Sequence, residues 1–245
     1  MSLSSAARSA AKPPAERLYG RVRGPRLRPR QEALLGLTLP RLAFPLTLAS
    51  NPRAAFDTEP AELWFEVGFG GGEHARSLAA THADIGLIAC EVYENGICSL
   101  LSQLVPAGRE ADGPVPPNLR LWTDDARLLL RLLPDASLDK LFLMFPDPWP
   151  KARHAKRRFV HPEQIGLAAR VLKPGAEWRI ASDDPTYQAW VADVLARQQD
   201  FVVEPPAAER PDGWPPTRYE AKARSAGRHP LYWSLRRVQT RPISS

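Results

Sequence analysis

Leu63-Trp64-Phe65-Glu66-Val67-Gly68-Phe69-Gly70-Gly71-Gly72 reads as a buried strand that runs directly into a glycine loop. A helical pattern over 73–80 follows at once. Glycines after a first strand let the backbone come close to a ligand, and the next helix starts at that point. Nicotinamide, flavin and S-adenosylmethionine proteins all use versions of such a loop, so the loop alone does not choose among them. The chain has no Gly-x-x-x-x-Gly-Lys-Ser/Thr segment, which argues against a P-loop.

Outward from this stretch, apolar runs over 85–90, 119–122, 140–145 and 177–181 read as further strands. Helical patterns over 93–104, 126–133, 162–172 and 185–198 alternate with them, and 201–204 and 231–237 suit closing strands. Alternation at this spacing implies parallel βαβ units and an α/β, doubly wound, mostly parallel seven-stranded sheet. A short helix is expected over 31–42. The proline-rich stretches 106–117 and 205–216 read as loops or insertions.

Acids stand where such a sheet binds ligands, beyond the carboxyl ends of its strands. Glu66 closes the first strand, where it can accept from a ligand ammonium. Glu91 closes the second, where an acid hydrogen-bonds ribose hydroxyls; such a charge-assisted bond is worth roughly 1.5–3 kcal/mol. Asp125 follows the third strand, either receiving an adenine amino group or capping the next helix. Asp147 follows the fourth. Four buried acids are costly without partners, and they suit a cationic ligand such as the sulfonium and ammonium of S-adenosylmethionine.

Asp147 lies in Phe145-Pro146-Asp147-Pro148-Trp149-Pro150, and six of the next eight residues are Lys, Arg or His. Lys151, Arg153, His154, Lys156, Arg157 and Arg158 are expected to track phosphates, or else to form a solvated face. Trp149 suits either base stacking or core packing. No histidine has a Cys/His partner at ligand spacing, so no metal is expected.

Charge is uneven. The chain carries +6 overall, yet residues 1–30 hold eight basic residues against Glu16 alone. That pattern suggests a polyanion-binding arm on a near-neutral body. Residues 1–18 lack periodicity and read as a disordered arm, 19–60 as a basic N-terminal segment, and 61–245 as the catalytic domain. Two cysteines, Cys90 and Cys98, are too few for a disulfide framework and read as free buried thiols. No apolar run reaches the roughly 18 residues of a membrane span, so a cytoplasmic protein without membrane partners is expected.

The strings EVGFGGGEH, CEVYENGI, TDDA, FPDPWPKARHAKRR, ASDDPTY and TRYE, in this order, resemble those of bacterial tRNA (guanine-N7)-methyltransferases. The likeness runs from about residue 19 to 237, and FPDPWPK-x-RH-x-KRR is its most specific part. It implies a Rossmann-like methyltransferase fold, S-adenosylmethionine as cofactor and tRNA as partner. The target would be guanine N7 at position 46 of the variable loop. Glu66, Gly68, Glu91, Asp125 and Asp147 resemble the family's cofactor-contacting residues, and Asp147 its catalytic acid. Lys151, Asp183, Thr217, Arg218, Tyr219 and Glu220 resemble its substrate-binding residues. The family's Thr-Lys-Phe-Glu is Thr-Arg-Tyr-Glu here, which keeps charge and aromaticity. Its Thr-Asp is Ser182-Asp183, with Asp184 alongside, so either acid could face the site. A monomer or homodimer fits equally. The alternatives are a same-fold methyltransferase with another RNA or protein target, a non-catalytic RNA-binding module, and, more remotely, a nicotinamide oxidoreductase.

Overall fold

The computed structural model describes residues 22–239. The arm expected over 1–18, the first residues of the basic segment and residues 240–245 lie outside the described residues.

Among the described residues, seven strands form one sheet: β1 (Glu62–Val67), β2 (Ile85–Cys90), β3 (Leu119–Trp122), β4 (Leu138–Met144), β5 (Leu172–Ser182), β6 (Phe201–Val203) and β7 (Leu231–Arg237). Their order is β3-β2-β1-β4-β5-β7-β6. Strands β1 to β5 pair in parallel. Strand β7 inserts antiparallel between β5 and β6. The order reverses direction between β1 and β4, and that switch point opens a crevice beyond the strands' carboxyl ends.

Helix α1 (Pro29–Ala33) runs through a π-turn, Leu34–Thr38, into α2 (Leu39–Leu42), where the sequence suggested one short helix. The remaining helices are α3 (Glu73–Thr81), α4 (Glu94–Leu104), α5 (Ala126–Leu132), α6 (Pro162–Val171), α7 (Pro185–Ala196) and α8 (Arg218–Ser225). Pro162 and Pro185 open α6 and α7, where a missing N–H costs nothing.

Strand β2 is buried at every position, as a central parallel strand must be. Strand β1 alternates: Leu63 and Phe65 enter the core under α5, α6 and α7, while Trp64 enters the core under α3 and α4. The N-terminal helices complete the second core with Leu34 and Leu42. The stretch 106–117 is tied to these helices rather than loose. Arg30 pairs with Glu110 at 2.9 Å, and the Thr38 hydroxyl donates to the Glu110 carbonyl at 2.6 Å. Residues 22–60 are therefore part of the same body as far as they are described, with Phe44 donating its N–H to Leu121 at the β3 edge at 2.8 Å.

Candidate active site

A cleft of about 380 Å³ lies at the switch point, within the usual range for a small-molecule site. Val67, Cys90 and Leu143 give it an apolar lining, and Glu91, Asp124, Asp125 and Asp147 give it an acidic one.

Its first wall is the glycine loop. Gly68 (φ 71°) and Gly70 (φ 56°) both occupy the left-handed region and both line the cleft, a conformation only glycine adopts without strain. A Cβ at Gly70 would stand 2.8 Å from the Tyr219 ring. Glu91 fastens this loop. Its Oε2 accepts from the Gly70 N–H at 2.7 Å, and its Oε1 from Val92 and Tyr93 at 2.7 and 2.9 Å. A carboxylate offers about four lone-pair sites, so about one remains for a ligand hydroxyl. Burial pushes the Glu91 pKa up, the three backbone bonds pull it down, and the nearby Asp147 charge pushes it up again.

Asp125 takes the capping role suggested by its position and also stands at the cleft. It caps α5, accepting from the Arg127 N–H at 3.0 Å, and it lines the cleft. Its carboxylate is paired with the Arg127 guanidinium, a partner two residues on in the sequence. Glu66 sits differently from the other acids. It is almost fully buried beneath the glycine loop, its Oε1 lies 3.1 Å from His74 Nδ1, and it is absent from the cleft lining. Its Oε2 has no hydrogen-bond partner among the described residues, so it retains capacity for one more donor.

The second wall is the loop after β4. Phe145 (φ 52°) and Trp149 (φ 44°) flank Asp147 in left-handed conformations. Strain of order 1–3 kcal/mol per such residue persists only where the surroundings hold it. Phe145 is held by its N–H on the Ala181 carbonyl at 2.8 Å. Asp147 itself is exposed and faces the cleft. Trp149 is half-buried at the mouth, so it is not a core residue. The Arg157 guanidinium lies 4.8 Å from its ring centre, and His154 meets its edge at 5.8 Å.

The cationic strip divides. It begins at Lys151 and winds through a 3-10 turn, Ala152–Arg157. Lys151, Arg153 and Lys156 are exposed. Arg158, expected on phosphate, is instead 6% exposed. Its Nε and Nη2 donate to the Pro148 and Trp149 carbonyls at 3.1 and 3.0 Å, and its guanidinium lies 4.9 Å from the Trp190 ring centre. Arg158 holds the Asp147 loop from behind, because two carbonyls of that loop need a buried donor. Burial, then the charges of Arg157, Arg153 and Lys151, hold the His154 pKa below the ordinary histidine value. That favours the neutral ring at pH 7.

The third wall is α8, in a stretch to which the sequence pattern assigns no element. Thr217 is its N-cap, accepting from the Glu220 N–H at 3.0 Å. Thr-x-x-Glu is the capping-box pattern, and that signal was present in the sequence. Thr217 and Glu220 are buried, whereas Arg218 and Tyr219 are exposed. Tyr219 lines the cleft against Gly70, and Arg218 reaches Glu73 at 3.5 Å. The two acids after β5 also separate. Asp184 caps α7 through the Tyr187 N–H at 2.9 Å, while Asp183 pairs with Arg228 at 3.0 Å. Tyr93 and Phe159 line the cleft as well; nothing in their local pattern marked them.

The cleft can hold a nucleoside carrying a positive charge. Its apolar lining suits a purine, Glu91 has a vacant acceptor site for a ribose hydroxyl, and its acids oppose a cation. S-adenosylmethionine has this chemistry, and the residues present fit it. A polyanionic second substrate would approach from the strip side.

A family model described as "Putative methyltransferase" matches residues 60–232. The tRNA (guanine-N(7)-)-methyltransferase of Granulibacter bethesdensis is 63% identical over 219 residues, which cover 89% of this chain and 93% of that protein. The protein of the same name from Rhodospirillum rubrum is 43% identical over 230 residues, covering 90% of this chain and 88% of that protein. Among solved structures, the 16S rRNA methyltransferase KamB superposes with a TM-score of 0.54 at 16% identity, covering 74% of this chain and 89% of that one. A 16S rRNA (adenine(1408)-N(1))-methyltransferase variant from Catenulisporales acidiphilia gives 0.50 at 14% identity, covering 80% and 92%. At these identities the structures speak for the fold alone: a Rossmann-like methyltransferase sheet.

Proposed function

The chain belongs to the tRNA (guanine-N(7)-)-methyltransferase family, and on that premise we propose that it methylates N7 of a guanine in tRNA, at position 46 of the variable loop. The observation that carries this reading is the setting of Asp147. It is an exposed carboxylate held between two left-handed aromatic residues, in the same cleft as Gly68, Glu91 and Asp125, and it stands four residues before the cationic strip.

S-adenosylmethionine supplies an electrophilic methyl on a sulfonium when bound. Guanine N7 carries a lone pair and no proton, so the nucleophile needs no general base. The chain's task is to hold N7 in line, where positioning can contribute up to roughly 7–11 kcal/mol. Asp147 accepts from guanine N1–H or the exocyclic amine, which orients the base, and its negative charge stabilises the cationic product. Glu91 takes a ribose hydroxyl in its remaining acceptor site. Asp125 and Arg127 fix the adenine end, and Glu66 adds negative potential beneath the glycine loop. Lys151, Arg153 and Lys156 meet phosphates. Arg218 and Tyr219 are the family's substrate-side groups exposed on α8, and Asp183 stands paired with Arg228, while Thr217 and Glu220 act by holding α8. Basic residues over 1–30 extend the phosphate contact.

The reading carries with it a cytoplasmic setting, where tRNA is found, and a monomer or homodimer, which sedimentation with and without tRNA separates. The decisive test is incubation with unmodified tRNA and S-adenosylmethionine followed by nucleoside analysis. The expected product is 7-methylguanosine from the variable loop. A different methylated nucleoside in its place overturns the assignment.

A further inference from the structure

Helix α8 buries only Glu220 and Ala223. One alanine cannot seat an eight-residue helix, and a helix this short is marginal alone. Glu220 is the buried ionic anchor of this helix. Glu220 is 7% exposed, so its carboxylate needs cationic partners. Arg210 supplies one, with Nε 3.0 Å from Oε2, and Arg224 another, with Nε 3.3 Å from Oε1. The Tyr232 hydroxyl is buried next to them. Burial, then the Glu220 charge, pushes its pKa up to about 12.

Arg210 belongs to the proline-rich stretch 205–216, which is not a free loop. Ala207 and Tyr232 exchange backbone hydrogen bonds at 2.9 and 3.0 Å, which fastens the stretch to β7. Arg210 also donates to the Trp214 carbonyl. Trp214 is 4% exposed and meets the Tyr232 ring edge-on at 5.9 Å. The stretch is thus pinned at both ends around Arg210. One residue before Glu220 on α8, Tyr219 leans on Gly70 and lines the cleft. Adjacent helical residues point about 100° apart, so a pull on Glu220 sets the rotation that aims Tyr219.

We propose that Arg210 is a positioning residue for methyl transfer: through Glu220 it fixes the rotation of α8 and so holds Tyr219 at the mouth of the cleft. The proposal rests on the methyl-transfer reading. The test is a double-mutant cycle on kcat/KM for tRNA, with Arg210→Ala, Tyr219→Ala and the pair. Arg210→Ala should lower kcat/KM about tenfold in the wild-type background and less than about twofold when Tyr219 is already alanine, a coupling of the size neighbours show. Amide hydrogens of 218–225 should exchange faster in Arg210→Ala, while those of α7 keep their protection. Arg210→Lys keeps a cation on Glu220 and should recover part of the loss; if the alanine variant does not fold, this variant carries the same cycle. Equal effects of the Arg210 change in both backgrounds overturn the proposal, since Arg210 would then act independently of Tyr219. The cycle is scored on whichever nucleoside the wild-type chain methylates, so a wrong target base leaves the comparison intact.

Discussion

Glu91 ties the glycine loop to the second strand: its Oε2 accepts the Gly70 N–H at 2.7 Å while its Oε1 accepts from Val92 and Tyr93. The residue expected to bind ribose is thus also the clasp that shapes the loop. Glu91→Gln keeps the size but puts an amide N–H₂ where one end of the clasp must accept. Loss of a charge-assisted bond of about 1.5–3 kcal/mol should weaken S-adenosylmethionine binding by roughly 10- to 150-fold in calorimetry. An unchanged affinity would show that the clasp is dispensable.

Acidification separates two effects of the same carboxyl. Burial holds the Glu91 pKa above its usual value of 4.5. A carboxyl whose folded pKa is raised stabilises the fold fully below the unfolded pKa and loses that contribution as pH rises through the folded pKa. Protonation also removes the acceptor that a ribose hydroxyl uses. As pH falls from 7 toward 4.5, the Glu91 contribution to thermal stability of the ligand-free protein should rise while cofactor affinity falls. Melting curves and calorimetry across that window, each referenced to Glu91→Gln, check the opposite signs. Parallel trends would contradict the assignment.

Much of this is legible in the sequence. The strand runs and the Gly68–Gly72 loop follow from apolar length and left-handed backbone, both local properties. Glu91 and Asp147 could be placed because they stand past the ends of their strands, where ligands bind in this architecture. What was not legible depends on partners distant in the chain. Helix α8 has a polar sequence with no apolar period to read; only its Thr217-Glu220 spacing marked it. Arg158 could not be told from Arg153 by type, because the carbonyls that bury it exist only once the Asp147 loop has folded back. Glu66 shares its strand-end position with the cleft acids, but side-chain alternation along β1 sends it with Trp64 to the face under α3.

The division within the cationic strip makes a prediction in two arms. Each phosphate contact contributes roughly −0.7 to −0.9 to the slope of log K against log salt. Replacing Lys151, Arg153 and Lys156 together by alanine should flatten the slope for tRNA binding by about 2 to 3, with little change in melting temperature. Arg158→Ala should do the reverse. It leaves the Pro148 and Trp149 carbonyls unpaired, costing about 1–3 kcal/mol of stability, with the salt slope unchanged. A slope change from Arg158→Ala equal to that of one strip residue would return it to the phosphate contacts.

Asp147 is exposed, whereas Glu91 is engaged by three backbone donors. A side chain without such a structural load can be changed without disturbing its neighbours. Asp147→Asn should therefore leave the fold and cofactor affinity nearly intact and cut turnover by about 10²–10³, the usual loss when one group that opposes transition-state charge is removed. Calorimetry with S-adenosylmethionine and single-turnover methylation of tRNA, run on both proteins, give the two numbers. Equal turnover would remove Asp147 from the chemistry.

Trp149 is held on one side by Arg157 and at its edge by His154, and its left-handed backbone turns the ring toward the cleft mouth. A ring prepaid in strain and fixed in place is suited to receive a base by stacking, at about 1–3 kcal/mol per base. Alanine there would also disturb Arg157, so the informative pair is Trp149→Phe against Trp149→Leu, which share apolar character but differ in having a π-face. The leucine variant should raise KM for tRNA by roughly 5- to 150-fold, the phenylalanine variant by much less, and neither should alter S-adenosylmethionine affinity. If leucine and phenylalanine behave alike, the ring serves only to fill space beside Asp147, and the guanine must be gripped by its hydrogen-bonding edge alone.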